Sequence, residues 1–328
     1  MAVSKLEKRI RELAVCVLFP VIASYVVYFG FNTNYTRGVF HEEGFRRQYE
    51  SGIYKYRILG RYAFLMVVEF VENNSFVSEK MLTLCGGVPE PVTVMDEDCT
   101  SPYYLTYFLV NTIFLVVTSI LLYIIFKAGT SSHGCVLTLF LTSAIALSQY
   151  VVSPYDTISY ALLSGAILLI LRPMKRNTLW LAVLLALATL VRESSALILS
   201  FYFAHNHNKV RNRDRKAISE LIILSLEYIL IYACLRLVLG TENALVQHVH
   251  IESNLTWPRS LMGLLALLTI SYISVSGCQK KTASVFFLFA ALPYIIITLI
   301  AADVWEIRLW IPVWMGLYSA QYGQPQRY

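Results

Sequence analysis

The sequence predicts an all-α protein, a polytopic transmembrane helix bundle of about ten segments with a large first extracytoplasmic loop. Three observations predict it. Of 328 residues, 57% are apolar and 15% charged, where a soluble domain has about 45–50% and about 25%. The apolar residues gather in runs close to the ~18–25 residues that cross a ~30 Å hydrocarbon core. The basic residues collect in every second connection between those runs, as cytoplasmic loops do. Together these exclude a disordered chain, a collagen-like chain and a soluble single-core domain. The net charge of +6 belongs to those connections, and no basic-aromatic module stands out, so no nucleic-acid partner is expected.

In order, residues 1–31 read as a basic cytoplasmic N-terminus and first span, 32–101 as an extracytoplasmic loop with an amphipathic helix, and 102–328 as the bundle. The run 13–31 is longer than a signal-peptide core and lacks a small-residue cleavage site, so it reads as an anchor. Later runs cover 102–126, 133–152 and 155–171. The run 178–204 is interrupted by Arg192-Glu193 and reads as two short helices meeting there, because a charged pair inside a span is costly. The rest are 217–240, 260–276, 283–302 and 309–320. Pro20, Pro293 and Pro312 fall inside runs, where membrane helices tolerate them.

With the N-terminus in the cytoplasm, 16 of 27 basic residues fall on the inner side, and the short outer links hold only Arg192, Arg259 and Arg308. Of 21 acidic residues, 16 fall on the outer side, ten of them in the first loop. The outer face is where carboxylates and a few arginines converge.

In the first half of that loop aromatics alternate with charges: Phe45, Tyr49, Tyr54, Tyr56 and Tyr62 among Arg46, Arg47, Lys55, Arg57 and Arg61. This pattern suits an amphipathic helix on the outer leaflet. It equally suits a substrate platform, with arginine on phosphate and tyrosine on a sugar or lipid. Cys85 and Cys99, in the second half, would pair in an oxidising compartment, with two free thiols as the alternative. Asn34, Asn73 and Asn254 head sequons on the outer side.

Four constellations mark the outer face. SPYDTISY carries Asp156, a helix N-cap or a functional acid. LVRESSAL carries Arg192 and Glu193, an internal ion pair at a turn or a contact to phosphate. DVWEIRLWIP carries Glu306 and Arg308, whose spacing of two points them at different partners on one helix. Trp305, Trp310 and Trp314 fit an interfacial belt. QHVHIESNLTWPR carries His248, a contact for a lipid headgroup. Its His248-x-His250 spacing is too little for a metal site, so no metal ligand is assigned and a divalent ion stays open as a cofactor. Walker A, HExxH and GxSxG motifs are absent.

YKYRILGRY in the loop, SPYDTISYALL followed by LVRESSALIL, and the Glu306-x-Arg308 pair opening the last run resemble the GT-C superfamily of membrane glycosyltransferases, in particular its small, uncharacterised bacterial branch. The resemblance implies a bacterial inner-membrane enzyme with an outer-face cavity. It would take a polyprenyl-phosphate sugar and transfer the sugar with inversion. One carboxylate would act as general base and positive charge would sit where the phosphate leaves. Carried onto this chain, the base is Glu42 or Glu43. Substrate and phosphate contacts fall to Arg57, Arg61, Arg192, Glu306 or Arg308, with Asp156 and Glu193 as supporting acids. Asn32 and Asn34 stand where the family usually has an aspartate. Two other readings fit the same residues. One is a non-catalytic membrane scaffold subunit of an envelope complex, with the loop docking a partner. The other is a transporter or flippase for a lipid-linked or anionic solute, which broken helices also suit.

Overall fold

The computed structural model describes residues 2–30, 37–74, 101–127, 131–240, 250–276 and 281–322, and every regular element among them is a helix. The chain opens with α1 (Ala2–Leu13) and α2 (Phe19–Tyr25), continued by π-helical turns over Ala14–Leu18 and Val26–Gly30. Pro20 lacks the N–H needed to extend the α-helical ladder, and the wider turn just before it accommodates the break. A 3-10 turn (Arg37–Phe40), α3 (Glu42–Tyr49), a second 3-10 turn (Gly52–Tyr56) and α4 (Ile58–Asn73) follow. The remaining helices are α5 (Pro102–Phe126), α6 (Ser131–Ser148), α7 (Asp156–Leu171), α8 (Asn177–Val191), α9 (Ala196–Arg211), α10 (Arg215–Leu239), α11 (Ile251–Thr256), α12 (Pro258–Ser276), α13 (Lys281–Ala301) and α14 (Ile307–Tyr322).

A helix stands on each apolar run of the sequence. Among the described residues four helices are long and apolar enough to cross a membrane: Lys5–Gly30, Pro102–Phe126, Arg215–Leu239 and Thr282–Ala301. This marks the chain as a membrane protein. Short connections make sequential helices antiparallel neighbours. At the centre lies α7, packed on α5, α8, α9 and α14. Leu163, Ala166 and Ile167 sit in its apolar core with Leu115, Leu185, Ile198 and Phe287. The outward faces of α10 and α13 leave Leu230, Leu237, Phe289 and Ile297 bare, as a lipid-facing surface does.

A second, aromatic cluster caps one end of the bundle. Phe45, Phe64, Tyr104, Tyr107 and Tyr155 belong to it, with the Phe64 ring centre 4.4 Å from Tyr107 and 5.0 Å from Phe45. Each such ring buries about 150–250 Å², so the aromatics of residues 37–73 fasten α3 and α4 onto α5. The alternating pattern is therefore a docking pattern against the bundle. Its α4 portion, which the hydropathy reading left inside the outer loop, packs along α5 and α8.

Two expectations change here. Trp310 and Trp314 are buried, and the Trp310 indole N–H donates to the Val304 carbonyl at 2.8 Å, so these rings pack the bundle and form no interfacial belt. Asn254 is also buried. Its amide donates to the carbonyls of Leu299 (2.9 Å) and Ala302 (2.8 Å) and accepts from the Val304 N–H at 3.1 Å. The sequon at Asn254 is thus a clasp between α11 and the end of α13, with its amide nitrogen occupied.

Candidate functional site

Four segments far apart in the sequence meet at the aromatic end of the bundle. At the first, Arg57 caps the start of α4, and its Nε donates to Glu193 Oε2 at 3.1 Å. Its guanidinium also lies over the rings of Tyr54 (4.9 Å) and Tyr155 (4.5 Å). Burial is the largest single influence on Arg57 and opposes its charge, but the Glu193 carboxylate together with the neighbouring Tyr155, Tyr54 and Asp156 outweighs it and raises the pKa above the usual arginine value. Gly60, one turn into α4, allows this approach: a Cβ there would lie 2.6 Å from the Tyr155 Cβ.

The second segment opens α7. Tyr155 is the cap residue and Asp156 the first helical one, with no side-chain capping bond. Asp156 is therefore not an N-cap. Its carboxylate turns inward, where the positive end of the helix favours it. The third segment separates α8 from α9. Arg192 is extended (φ −163°, ψ 143°), which ends α8, and a 3-10 turn over Glu193–Ser195 starts the chain back. Arg192 Nη1 donates to Asp156 Oδ1 at 2.7 Å, with side chains 5% and 1% exposed. That near-complete burial makes this pair the innermost part of the cluster.

The fourth segment enters α14. Glu306 lies in the turn just before the helix, so the helical spacing argument does not apply, and Arg308 Nε donates to Glu306 Oε2 at 2.9 Å. Arg308 Nη1 also stands 3.6 Å from Asp156 Oδ2. Arg308 thus serves two carboxylates. Pro312 helps to hold it: without an N–H, Pro312 leaves the Arg308 carbonyl without its helical donor, and the Tyr160 hydroxyl of α7 donates there at 2.7 Å.

The result is a chain of six ionised groups, Glu193–Arg57 beside Arg192–Asp156–Arg308–Glu306, balanced three against three. Beside it opens a cavity of about 210 Å³, walled by Arg308, Arg47, Tyr49, Tyr54 and Tyr155. Gly44, Arg47 and Gln48 reach it from one side of α3, at the spacing that puts residues on one helical face.

Of the residues expected from sequence, Arg57, Asp156, Arg192, Glu193, Glu306 and Arg308 come together. Glu42 and Glu43 do not line the cavity. Glu42 pairs with Arg46 at 2.6 Å on the exposed side of α3, and Glu43 is exposed one turn before Arg47. Arg61 is also elsewhere, its Nη1 donating to the Tyr49 carbonyl at the end of α3 (3.3 Å). Cys85, Cys99 and His248 lie outside the described residues. Arg47, read from sequence only as one of the platform arginines, and Tyr155, unassigned there, join the site. Tyr155 adjoins Asp156, and Arg47 follows Glu43 by four, so both were signalled by their neighbours. Among the described residues no three His, Cys, Asp or Glu side chains gather as a metal site would. Compared with known protein families, curated proteins and solved structures, the chain matches none.

Proposed function

We propose that this protein is a GT-C-like membrane glycosyltransferase. It would take a sugar from a polyprenyl-phosphate donor at the extracytoplasmic face of a bacterial inner membrane, with its N-terminus in the cytoplasm and about ten helices crossing. One observation carries the reading. Four remote segments deliver three arginines and three carboxylates to one end of the bundle, beside a cavity walled by arginine and tyrosine. That is the chemistry a phosphate-linked sugar needs, with guanidinium for the phosphate and aromatic rings for the sugar.

In this reading Arg308 and Arg47 hold the phosphate, while Tyr54 and Tyr155 border the sugar. Glu43, which is outside the cavity lining and exposed one turn before Arg47 on α3, takes the proton of an acceptor hydroxyl that approaches from the α3 side. The acceptor oxygen bonds the anomeric carbon from the face opposite the phosphate. The carbon–oxygen bond to the phosphate breaks, and lipid phosphate leaves with the electron pair. Asp156 is a poor base because two arginines already hold its charged form, so it positions Arg192 and Arg308 instead.

The mutual pairing of the six charges also suits a non-catalytic scaffold, in which the cluster serves only as an internal clasp. Turnover separates the two. The purified full chain is incubated with a panel of polyprenyl-phosphate sugars and acceptors, and released lipid phosphate is read by mass spectrometry. Release that falls at least about 100-fold in Glu43→Gln and is lost in Arg308→Ala supports the enzyme. No release from any donor by a folded sample removes it and leaves the scaffold.

A further inference from the structure

The far end of the bundle holds a larger cavity than the candidate site. It measures about 390 Å³ and lies where the end of α7, the start of α8, the end of α9 and the start of α10 meet. The length of α7, 16 residues, puts it ~24 Å from Asp156, so it belongs to a different site.

Its walls are charged in an uneven way. Arg176, Lys209 and Lys216 line it, and among the described residues none of the three meets a carboxylate at ion-pair distance. The two acids in the wall are already engaged. Glu220 accepts from the Tyr202 hydroxyl at 2.6 Å and from the Thr178 hydroxyl at 2.7 Å, one on each carboxylate oxygen. Asp214 caps α10, accepting from the backbone N–H groups of Lys216 (2.9 Å) and Ala217 (3.3 Å). Three cations therefore border a polar hollow in which both oxygens of Glu220 and one of Asp214 are turned to neutral donors. The mouth continues into bare apolar surface: Met174, Leu179 and Trp180 on one side are 58%, 55% and 52% exposed, and Ile222, Ile223 and Leu226 of α10 are exposed on the other. Loop basicity serving orientation explains cations at this end. It does not explain a cavity between four helix ends with its acids engaged and an apolar approach.

We propose that this cavity binds a phosphoryl anion, carried by the headgroup of an anionic lipid whose chains lie along α8 and α10. Basic hollows between helices at a membrane face recognise such headgroups, and the apolar approach is what a free phosphate would not use.

The test uses the full chain in a neutral detergent. Thermal unfolding is followed with short-chain phosphatidylglycerol, short-chain phosphatidylcholine or inorganic phosphate added. Phosphatidylglycerol raises the melting temperature and phosphatidylcholine raises it less. Lys209→Gln and Lys216→Gln each weaken the apparent affinity about tenfold, the loss of one charge-assisted hydrogen bond. Arg215→Gln, an equal charge loss that does not line the cavity, changes it less than about twofold. A shift of equal size with inorganic phosphate keeps the anion site and assigns it to free phosphate. No shift with either, or equal weakening in Arg215→Gln, overturns the site. Should the lysine variants fail to fold, a photoactivatable phosphatidylglycerol on the parent decides. Crosslinks within residues 170–180 and 202–220 support the cavity, and crosslinks spread elsewhere overturn it.

Discussion

Replacing Arg192 by glutamine is the most direct probe of the charge cluster. Its guanidinium makes a 2.7 Å bond to Asp156, and the two side chains are 5% and 1% exposed. Water cannot take over when the arginine is removed. Of its two ion-pair partners the carboxylate would keep only Arg308, whose Nη1 is 3.6 Å away and whose Nε is already bonded to Glu306 at 2.9 Å. Two acids would then lean on one guanidinium. Leaving a buried charge half-compensated costs about 3–5 kcal/mol. The second variant, Asp156→Asn, removes the charge that the first strands, so the double variant recovers part of the loss. The cycle should then show a coupling of roughly 1–3 kcal/mol. The assay is reversible unfolding of the full chain in mixed micelles, followed by helical circular dichroism, for the parent, both singles and the double. A loss below about 1 kcal/mol in Arg192→Gln, the size of an exposed ion pair, or strict additivity, would falsify the claim that this pair is dry and coupled.

Three further outcomes follow from other contacts. Tyr160→Phe leaves the Arg308 carbonyl beside Pro312 without a donor, so stability falls by about 1–2 kcal/mol in the same unfolding assay, and an unchanged midpoint would refute the role given to Pro312. Gly60→Ala forces a methyl against the Tyr155 Cβ at 2.6 Å, so overpacking costs about 1–3 kcal/mol and the fluorescence of the tyrosine-rich end shifts; a neutral substitution would show that α4 can retreat. Expressed in a eukaryotic secretory host, the chain carries no glycan at Asn254, because that amide makes three internal hydrogen bonds; a glycosidase-sensitive mass at that residue would show that the clasp opens before folding is complete.

The helical fold was legible because apolar length and loop charge are one-dimensional signals. The breaks were legible too: Arg192-Glu193 interrupts an apolar run and the backbone there is extended. Pairing was not. Nothing in the spacing of residues 57, 156, 192 and 308 says that Arg57 meets Glu193 while Asp156 meets both other arginines, since such choices depend on how helices pack. The Glu306–Arg308 contact escaped a helical rule because the helix begins between them, at Ile307. Helix α4 was hidden by its arginine and glutamates, which dilute an apolar face that docks on α5 and α8.

Arg308 belongs to the last helix described, whereas Asp156 and Arg192 come from the middle of the chain. Synthesis runs from the N-terminus, so the inner pair can close long before its third member exists. Until α14 inserts beside α7, Asp156 has one guanidinium where the finished molecule gives it two, and the Tyr160 hydroxyl has no carbonyl to meet. The cavity wall that Arg308 supplies is missing for the same interval. The site is therefore complete only once α14 has been made, and a chain that stops before it carries no finished copy.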